Sequence, residues 1–446
     1  MAHPRPPPAT TSAGFGRHPQ ASGPFAPFKY RDFRFLWFAL LSRAAAQWMD
    51  QVARPVLVFE LTDSGFLVGS VIAARMAPNF VLGMFAGSLV DRYPRRSILI
   101  ASQALNSLTT IALVPLLLFD VVEAWQVIAL VAVQGVNIAF FQPARQAILP
   151  ALVPGEIMRS AVAMSQTAQH SMRIVGGIAG GVLLALTSFE VIYAIMAVLY
   201  GIAIVLMFGI RADTHPVRAA GTAATGGGRT ATVSIWRSTR EGASWALQAR
   251  KPLVVVLLGS VLFMIVVPYQ SVFIPILVLD ELGKDRSFVG FLAAATGVGA
   301  VVASFTVASL RGLPSHGLVM LGLLGLSGLL LLALAAAPGL ILITVVLVGI
   351  GGSNVAFMSV NNLTMLSLAP NEMAERAMSL MNFARGLIPV GGLVAGALAD
   401  GIGSRNGILV MGIAALAATV LVFSLVPTVR RLWGAWPTLS LETRRA

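Results

Sequence analysis

The chain has 446 residues, of which 57% are hydrophobic and only 11% are charged, and it contains no cysteine. A soluble domain is about a quarter charged, so this composition excludes a soluble enzyme and, without cysteine, a disulfide-bonded secreted domain. It predicts an all-α polytopic membrane protein whose net charge of +13 lies mainly in the loops.

Twelve stretches are apolar and long enough to cross a bilayer, since a spanning helix needs about 20 residues. The first six cover 35–61, 65–90, 97–119, 125–149, 161–187 and 189–210. The second six cover 253–279, 287–310, 317–336, 339–362, 377–399 and 406–427. We therefore predict twelve transmembrane helices in two six-helix halves, at residues 31–211 and 252–428.

Three segments lie outside the two predicted halves. The Pro-rich residues 1–30 cannot bury a core, so we expect a disordered cytoplasmic tail without a cleavable signal. The central cytoplasmic loop, 212–251, places tryptophans among basic residues after a Gly-rich run, which indicates a short amphipathic helix at 234–248. Residues 429–446 form a second cytoplasmic tail.

Basic residues fix the predicted orientation, because Lys and Arg accumulate in cytoplasmic loops. Only Lys284, Arg286 and Arg405 fall in loops that would be external, whereas most other basic residues fall on the opposite side. Both termini are therefore predicted to be cytoplasmic, with the chain crossing the cell inner membrane several times. The charge then reports topology, and we expect the lipid bilayer rather than nucleic acid as a partner.

The two halves carry traces of an internal repeat. Pro154 and Glu156 recur at a constant offset as Pro370 and Glu372. Glycines of the fifth stretch recur in the eleventh at the same offset, Gly176 as Gly392 and Gly180 as Gly396. Parallel six-helix repeats joined by a cytoplasmic loop are one known plan of a transporter, with the substrate site near the midplane between the halves.

The loop after the second stretch carries a family signature. Residues 87–96, GSLVDRYPRR, follow the pattern Gly-x-Leu-x-Asp-Arg-x-Gly-Arg-Arg, with Pro94 in place of the usual Gly. In this motif the chain resembles the major facilitator superfamily. Four shorter segments are similar to those of a bacterial exporter branch that includes the enterobactin exporter and macrolide efflux proteins. They are ELTDS at 60–64, AARMAP at 73–78, PARQA at 143–147 and VPGE at 153–156.

The resemblance implies the major facilitator fold, alternating access and secondary transport. It also implies a cytoplasmic latch, in which Asp91 accepts hydrogen bonds from the start of the eleventh helix, near Arg376, in the outward-open state. The residues of this latch motif are Gly87, Asp91, Arg92, Arg95, Arg96 and Arg145. The equivalent loop of the second half, 308–314, has no acid, so we expect the latch to be asymmetric.

The fifth stretch contains Gly-Gly-Ile-Ala-Gly-Gly at 176–181, where exporters of this superfamily often carry Gly-Pro-x-x-Gly-Gly. Small residues at this spacing permit close packing of helices. A direct role in coupling is the alternative, and the missing proline removes the bend that the family motif would confer.

Polar residues within the predicted spans are the candidates for function, because an ionisable group at bilayer depth costs a few kcal/mol. Those of the first stretch fall within an arc of about 100°, and they are Arg43, Gln47, Asp50, Gln51 and Arg54. Asp50 is the only acid near the centre of any span. Two roles are open for it, a structural ion pair with Arg54 and a proton carrier.

The fifth stretch repeats this pattern with Gln166, Gln169, His170 and Arg173. An imidazole titrates near neutral pH, so His170 is a second candidate for proton coupling or else a hydrogen-bonded bystander. The further cavity candidates, which would bind substrate or bridge helices, are Arg75, Gln134, Asn137, Asn354, Asn361 and Arg385. The excess of intramembrane arginine over acid predicts a preference for anionic or oxygen-rich solutes over cationic dyes.

Competing classes of function lack their signatures in the sequence. No Walker A motif is present for ATP-driven transport, no nucleophile–base pair marks an enzyme, and five scattered histidines without cysteine predict no metal site. The sequence therefore predicts a monomeric, proton-coupled exporter of a drug, siderophore or other secondary metabolite. It needs no cofactor, and the proton gradient drives it. An importer of a small anionic solute and a non-transporting membrane interaction protein are the alternatives.

Overall fold

The structure, a computed structural model, describes residues 23, 25–90, 92–212, 259–264, 269–309, 316–368 and 386–425. The predicted amphipathic helix at 234–248, the tail at 429–446 and residues 1–22 lie outside this part of the chain. α-Helices make up nearly all of the described residues, in agreement with the predicted all-α class.

The first half contains six helices within the described residues 25–212. α1 is Arg31–Thr62, α2 is Gly65–Val90, α3 is Arg95–Leu118, α4 is Ala124–Leu152, α5 is Met158–Leu186 and α6 is Phe189–Phe208. Short 3-10 helices precede α1, at Ala26–Lys29, and α5, at Gly155–Ile157. The six α-helices match the first six predicted spans to within a few residues.

The second half supplies six further helices among the described residues. α7 is Tyr269–Ile276, α8 is Ser287–Ser309, α9 is His316–Ala336, α10 is Leu340–Leu368, α11 is Ile388–Ile402 and α12 is Ser404–Leu425. Residues 259–264 are also helical, and a π-helical turn, Leu277–Glu281, follows α7. α11 extends beyond the predicted end at 399, and residues 377–385 of that predicted span lie outside the described part.

Eight of the described helices are long and apolar enough to cross a membrane, judged by length and composition. They are α2, α3, α4, α6, α8, α9, α10 and α12. α1 and α5, with 32 and 29 residues, are also long enough, but their polar residues lower their hydropathy. The chain is thus a multi-pass membrane protein, and the full count of twelve spans stays a prediction.

Local residue choice sets several helix ends. α1 ends where Asp63 adopts a φ of 47°, and α11 gives way to α12 at Gly403, with a φ of 84°. Glycine adopts this left-handed region freely and aspartate does so more readily than most residues, so both suit such a turn. α4 begins with a reciprocal capping box between Glu123 and Gln126.

A short segment directly before α1, which we predicted to belong to the disordered tail, is ordered. Ala26 is buried, and the ring of Phe28 packs edge-on against Phe33 and Trp37, with centroids 5.6 and 5.0 Å apart. Burial of this aromatic surface offsets the conformational entropy lost when the segment becomes ordered. Residues 25–30 therefore belong to the first half.

The two halves pack their helices in equivalent ways, as the internal repeat predicts. In the first half α2 packs on α4, and α3 packs on α4 and α6; in the second, α8 packs on α10, and α9 packs on α10 and α12. The halves meet along two helix pairs, α2 with α11 and α5 with α8. The repeat relates α2 to α8 and α5 to α11, so these two seams are equivalent as well.

Glycines bring the halves closest at one end of the bundle. We call it the far end: it carries the turn between α1 and α2, whereas the near end carries the start of α1. At the α5–α8 seam a Cβ built on Gly181 would lie 2.3 Å from the Cα of Gly290. At the α2–α11 seam a Cβ on Gly69 would lie 2.2 Å from the carbonyl oxygen of Gly392. Larger residues would not fit, so glycine permits the halves to close at the far end.

Candidate functional site

A cavity of about 90 Å³ lies between the two halves, enclosed by α1, α5, α7 and α8. Its polar lining residues are Gln51, Arg173, Ser271 and Thr296. Trp48, Gly177 and several apolar side chains complete the wall. Because the wall is drawn from both halves, any movement of one half against the other changes the cavity.

Arg173 gives this cavity its charge. Its guanidinium lies 5.2 Å from the centroid of the Trp48 ring, a distance at which cation–π attraction operates. One turn along α5, nothing lies within 4 Å of a Cβ built on Gly177, so the wall is open there. None of the lining residues in the described part of the chain is acidic. Arg173 is therefore the charged residue among the described residues that line the cavity.

Asp50 does not line the cavity and lies inside the first half, where it is 3% exposed. Its carboxylate accepts a hydrogen bond from the Arg54 Nε at 2.8 Å, and the Arg54 Nη2 lies 2.6 Å away. The Nη1 of Arg75 lies 3.5 Å from the other carboxylate oxygen. The ion pair that was one of the two predicted roles is present, and Arg75 extends it to a triad. A role of Asp50 in proton coupling stays a prediction.

The Asp50–Arg54–Arg75 triad joins α1 to α2 with one carboxylate between two guanidinium groups. α6 contributes the Tyr193 ring, whose centroid lies 6.0 Å from the Arg54 guanidinium. Removing the carboxylate would leave two cations buried without an acceptor, and uncompensated buried charge is strongly destabilising. The triad therefore holds the interior of the first half together.

Two further buried arginines join helices in the part of the first half that lies towards the near end. Arg43 on α1 stacks on the Phe141 ring of α4, 3.8 Å from its centroid, while its Nε and Nη1 have no hydrogen-bond partner among the described residues. Arg145 on α4 donates to the hydroxyl oxygen of Ser165 and the amide oxygen of Gln166, both on α5 and both at 3.3 Å. These contacts stay within the first half.

Two of the predicted amide residues bridge helices. Gln134 donates to the Thr109 hydroxyl at 3.1 Å and so joins α4 to α3. Asn361 accepts a hydrogen bond from Ser260 at 2.9 Å and so joins α10 to residues 259–264. Bridging was one of the two roles predicted for these side chains, and neither side chain is among the described lining of the cavity.

The remaining amide candidates also lie away from the described lining of the cavity. Both amide atoms of Asn137 and the Nε2 of Gln169 are buried without a hydrogen-bond partner in the described part. Asn354 is buried and Gln47 is half-buried. Of the predicted polar residues that the structure describes, Gln51 and Arg173 come together at the cavity.

The described contacts of the latch motif are made within the first half. Arg96 donates to the carbonyl oxygens of Met207 and Phe208 at 3.1 and 2.8 Å and so caps the end of α6. Arg92 is exposed and Arg95 is half-buried. Asp91, Arg385, the side chain of His170 and the start of the eleventh span lie outside the described part, and Gly87 lies near the end of α2.

Among the polar and aromatic residues that line the cavity, three were not predicted from the sequence, namely Trp48, Ser271 and Thr296. The Thr296 hydroxyl donates to the Ala293 carbonyl oxygen of its own helix at 2.7 Å, as hydroxyls inside apolar helices commonly do. Such residues leave no pattern in a sequence. Trp48 left no pattern either, because it lies about 60° outside the arc of the polar residues of α1.

The glycine-rich segment of α5 packs against two neighbouring helices. A Cβ on Gly176 would lie 2.9 Å from the Cβ of Trp48, and one on Gly180 would lie 3.0 Å from the Cα of Met49. Gly181 faces α8 instead. These contacts fit the packing interpretation of the segment, since small residues let α1 and α8 approach α5.

A polar contact closes the α2–α11 seam at the far end. The Asp400 carboxylate accepts a hydrogen bond from the Ser64 hydroxyl at 2.7 Å. It also accepts hydrogen bonds from the backbone N–H groups of Gly65 and Phe66, the latter at 3.0 Å. Together with the seam glycines, this contact joins the two halves at the far end.

The sequence matches a protein family and several bacterial transporters. Residues 22–432 match the family described as transmembrane secretion effector. An uncharacterized MFS-type transporter of Bacillus subtilis (strain 168) is 30% identical over 155 residues, which cover 35% of this chain and 36% of that protein. Macrolide efflux protein A of Streptococcus pyogenes is 25% identical over 174 residues, covering 37% and 42%. The matched stretches thus span less than half the length of these two relatives.

Other similarities extend over most of the chain. The multidrug efflux pump Tap of Mycolicibacterium fortuitum is 26% identical over 410 residues, which cover 89% of this chain and 95% of that protein. Among solved structures, a bacterial homolog of the human lysosomal transporter Spinster, in an inward-facing and unoccupied conformation, superposes with a TM-score of 0.69. That match covers 91% of this chain and 99% of the other at 13% identity, and it shows a shared fold.

Proposed function

The chain belongs to the transmembrane secretion effector family of the major facilitator superfamily, and on this premise we propose that it is a proton-coupled exporter of small molecules. It lies in the cell inner membrane, with the near end and both termini at the cytoplasm. Solute leaves the cell by alternating access as the two halves rock around the cavity. The proton gradient supplies the driving force without a cofactor.

The cavity between the halves is the observation that supports this proposal most directly. It lies between helices of both halves, and the glycine seams close the bundle on its far side. A site that is closed on one side exchanges solute with the other. With the near end at the cytoplasm, this arrangement corresponds to the state in which an exporter takes up its solute.

The direction of transport is inferred from the relatives. A protein named as a multidrug efflux pump aligns with 89% of this chain, so the alignment includes both halves. An importer would pass through the same closed-far-end state when it releases solute, so the cavity alone does not favour export. Import of a small anionic solute is therefore the outcome that the transport experiment must separate from export.

The charge of the cavity lining supports an anionic or oxygen-rich solute. Arg173 offers a cation, Gln51 an amide, and Ser271 and Thr296 two hydroxyl groups. The Trp48 face adds an aromatic surface next to the cation. These groups suit the carboxylate and hydroxyl groups of a siderophore or another acidic secondary metabolite.

Asp50 is the proposed site of proton coupling, with His170 as a second candidate. A proton on Asp50 would neutralise the carboxylate shared by Arg54 and Arg75 and so weaken the contact between α1 and α2. Gln51, the next residue of α1, lines the cavity. Protonation therefore has a short structural route to the solute.

Reconstituted proteoliposomes with an imposed pH gradient test this function. We expect the gradient to drive acidic solutes across the membrane from the near end to the far end. Cationic dyes should compete poorly with these solutes for transport. Asp50→Asn should remove the response to the pH gradient, because the amide cannot exchange the proton. Its amide oxygen still accepts a hydrogen bond from the buried arginines, so solute exchange without a gradient should persist.

Asp120→Asn is the matched control. Asp120 is exposed at the far end, so this substitution removes the same charge at a position outside the cavity. It should transport as the wild type does. Net movement of solute from the far end to the near end would identify an importer. If none of the acidic solutes and dyes moved, the transport function would be contradicted. A response to the gradient that survives in Asp50→Asn would exclude Asp50 as the coupling residue.

A further inference from the structure

We propose that Asp400 is a positioning residue of the transport cycle, which holds the far end closed by capping the N-terminus of α2. The inference rests on the proposed transport function. Asp400 lies near the end of α11 in the second half, whereas its partners begin α2 in the first half. The contact therefore crosses the seam that must open for solute to leave at the far end.

The geometry is that of a helix cap supplied by another part of the chain. The carboxylate receives the Ser64 hydroxyl at 2.7 Å and the N–H groups of Gly65 and Phe66. The first N–H groups of a helix have no acceptor within the helix and carry a partial positive charge. An ionised carboxylate is the side chain that satisfies both properties at once.

Glycines place the backbone of α2 within reach of this carboxylate. A Cβ on Gly65 would lie 2.7 Å from the Cβ of Ala399, and one on Gly396 would lie 2.4 Å from the carbonyl oxygen of Gly65. The approach leaves no room for a side chain, so the three hydrogen bonds form only when the halves are in contact. Rocking the halves apart at the far end breaks all three together.

The described residues of the equivalent seam make a smaller polar contact. At the α5–α8 seam Arg286 donates one hydrogen bond to the Thr187 carbonyl oxygen at 3.3 Å, and it lies 3.8 Å from the Glu60 carboxylate. Both contacts are partly exposed, so the number of hydrogen bonds distinguishes them. Among the described residues, the α2–α11 seam has three hydrogen bonds to one carboxylate and therefore the stronger polar contact at the far end.

A thiol placed in the cavity reports which end is open. The chain contains no cysteine, so Ser271→Cys puts a single thiol in the cavity lining. Its rate of reaction with a membrane-impermeant maleimide is measured in right-side-out and inside-out membrane vesicles. With the far end closed, we expect the thiol to react mainly from the near end.

Adding Asp400→Asn to this background should move the two rates in opposite directions. The amide keeps one acceptor oxygen but lacks the charge and the second acceptor oxygen. The contact between α2 and α11 at the far end is therefore weaker. We expect the ratio of far-end to near-end rates to rise about fivefold, the size of effect expected for an exposed charge at a helix terminus. Ser64→Ala, which removes one donor from the opposite side of the contact, should shift the ratio in the same direction by less.

Glu281→Gln is the matched control. Glu281 caps α12 at the same end, accepting hydrogen bonds from the Ser404 hydroxyl and from the N–H of Arg405 at 2.9 Å, but both partners lie in its own half. The same change from acid to amide should therefore leave the ratio unchanged.

Rates that rise at both ends in Asp400→Asn would indicate general loosening and overturn the proposal, as would an unchanged ratio in both Asp400→Asn and Ser64→Ala. If Asp400→Asn fails to reach the membrane, Ser64→Ala decides alone. A ratio that shifts as expected in a protein that moves no solute in proteoliposomes would contradict the transport function while leaving the role of Asp400 in closing the far end intact.

Discussion

At the scale of single residues, the buried charges of the first half depend on one another. Asp50 is shared between Arg54, on its own helix, and Arg75, on the next. A buried carboxylate with two cationic partners is satisfied only while both helices keep their positions. The same side chains that are candidates for coupling therefore also maintain the packing of α1 on α2.

We expect Arg54→Met to destabilise the protein by about 3 kcal/mol, because Asp50 then keeps only the longer contact with Arg75. Asp50→Asn and the double variant complete a double-mutant cycle, measured by thermal unfolding in detergent. The two losses should sum to more than the loss in the double variant, since the residues interact directly. Additive losses would show that the pair contributes no coupling energy.

Contacts within one helix were predictable from the sequence, and contacts between helices mostly were not. Arg54 lies one turn from Asp50, so their pairing follows from helical geometry. Asp400 lies 336 residues from Ser64, and no local pattern connects them. The helices themselves were predictable because a bilayer demands long apolar stretches, whereas Ser271 and Thr296 in the cavity look like any other hydroxyls inside such stretches.

At the scale of helices, glycine spacing decides where the halves touch. α5 uses Gly176 and Gly180 against α1 and Gly181 against α8. One helix thus serves packing within its half and the seam between halves through neighbouring positions. A change at one of these glycines should act on only one of the two functions.

Gly181→Ala should open the α5–α8 seam, because the added Cβ would lie 2.3 Å from the Cα of Gly290. Overpacking of this kind costs about 1–3 kcal/mol, so we expect a lower melting temperature together with faster labelling of a cavity thiol from the far end. Gly201→Ala on α6 is the control, since nothing lies within 4 Å of its Cβ. An equal fall of melting temperature in both variants would rule out a specific role of the seam.

At the scale of the whole molecule, charge and fold give one consistent arrangement. The loops at the far end hold few basic residues, and that is the end at which the seams close. The positive-inside rule predicts that this end faces the outside. In that orientation the end at which the halves close would be the external end.

Single thiols at opposite ends test this orientation in intact cells. Val121 at the far end and Tyr93 at the near end are 54% and 55% exposed. An impermeant maleimide should label Val121→Cys directly, and Tyr93→Cys only after permeabilisation, because the near end is predicted to face the cytoplasm. The reverse pattern would invert the orientation and with it the direction inferred for transport.

The antiparallel arrangement of α2 and α11 has an energetic consequence. At the far end, Asp400 near the end of α11 caps the start of α2. In the latch predicted for the near end the roles are reversed, because Asp91, directly after α2, would cap the start of the eleventh helix. Rocking the halves would trade one cap for a chemically similar one. We therefore expect the two states to be close in free energy. A solute or a proton that binds one state more tightly than the other by a few kcal/mol is then enough to reverse their populations.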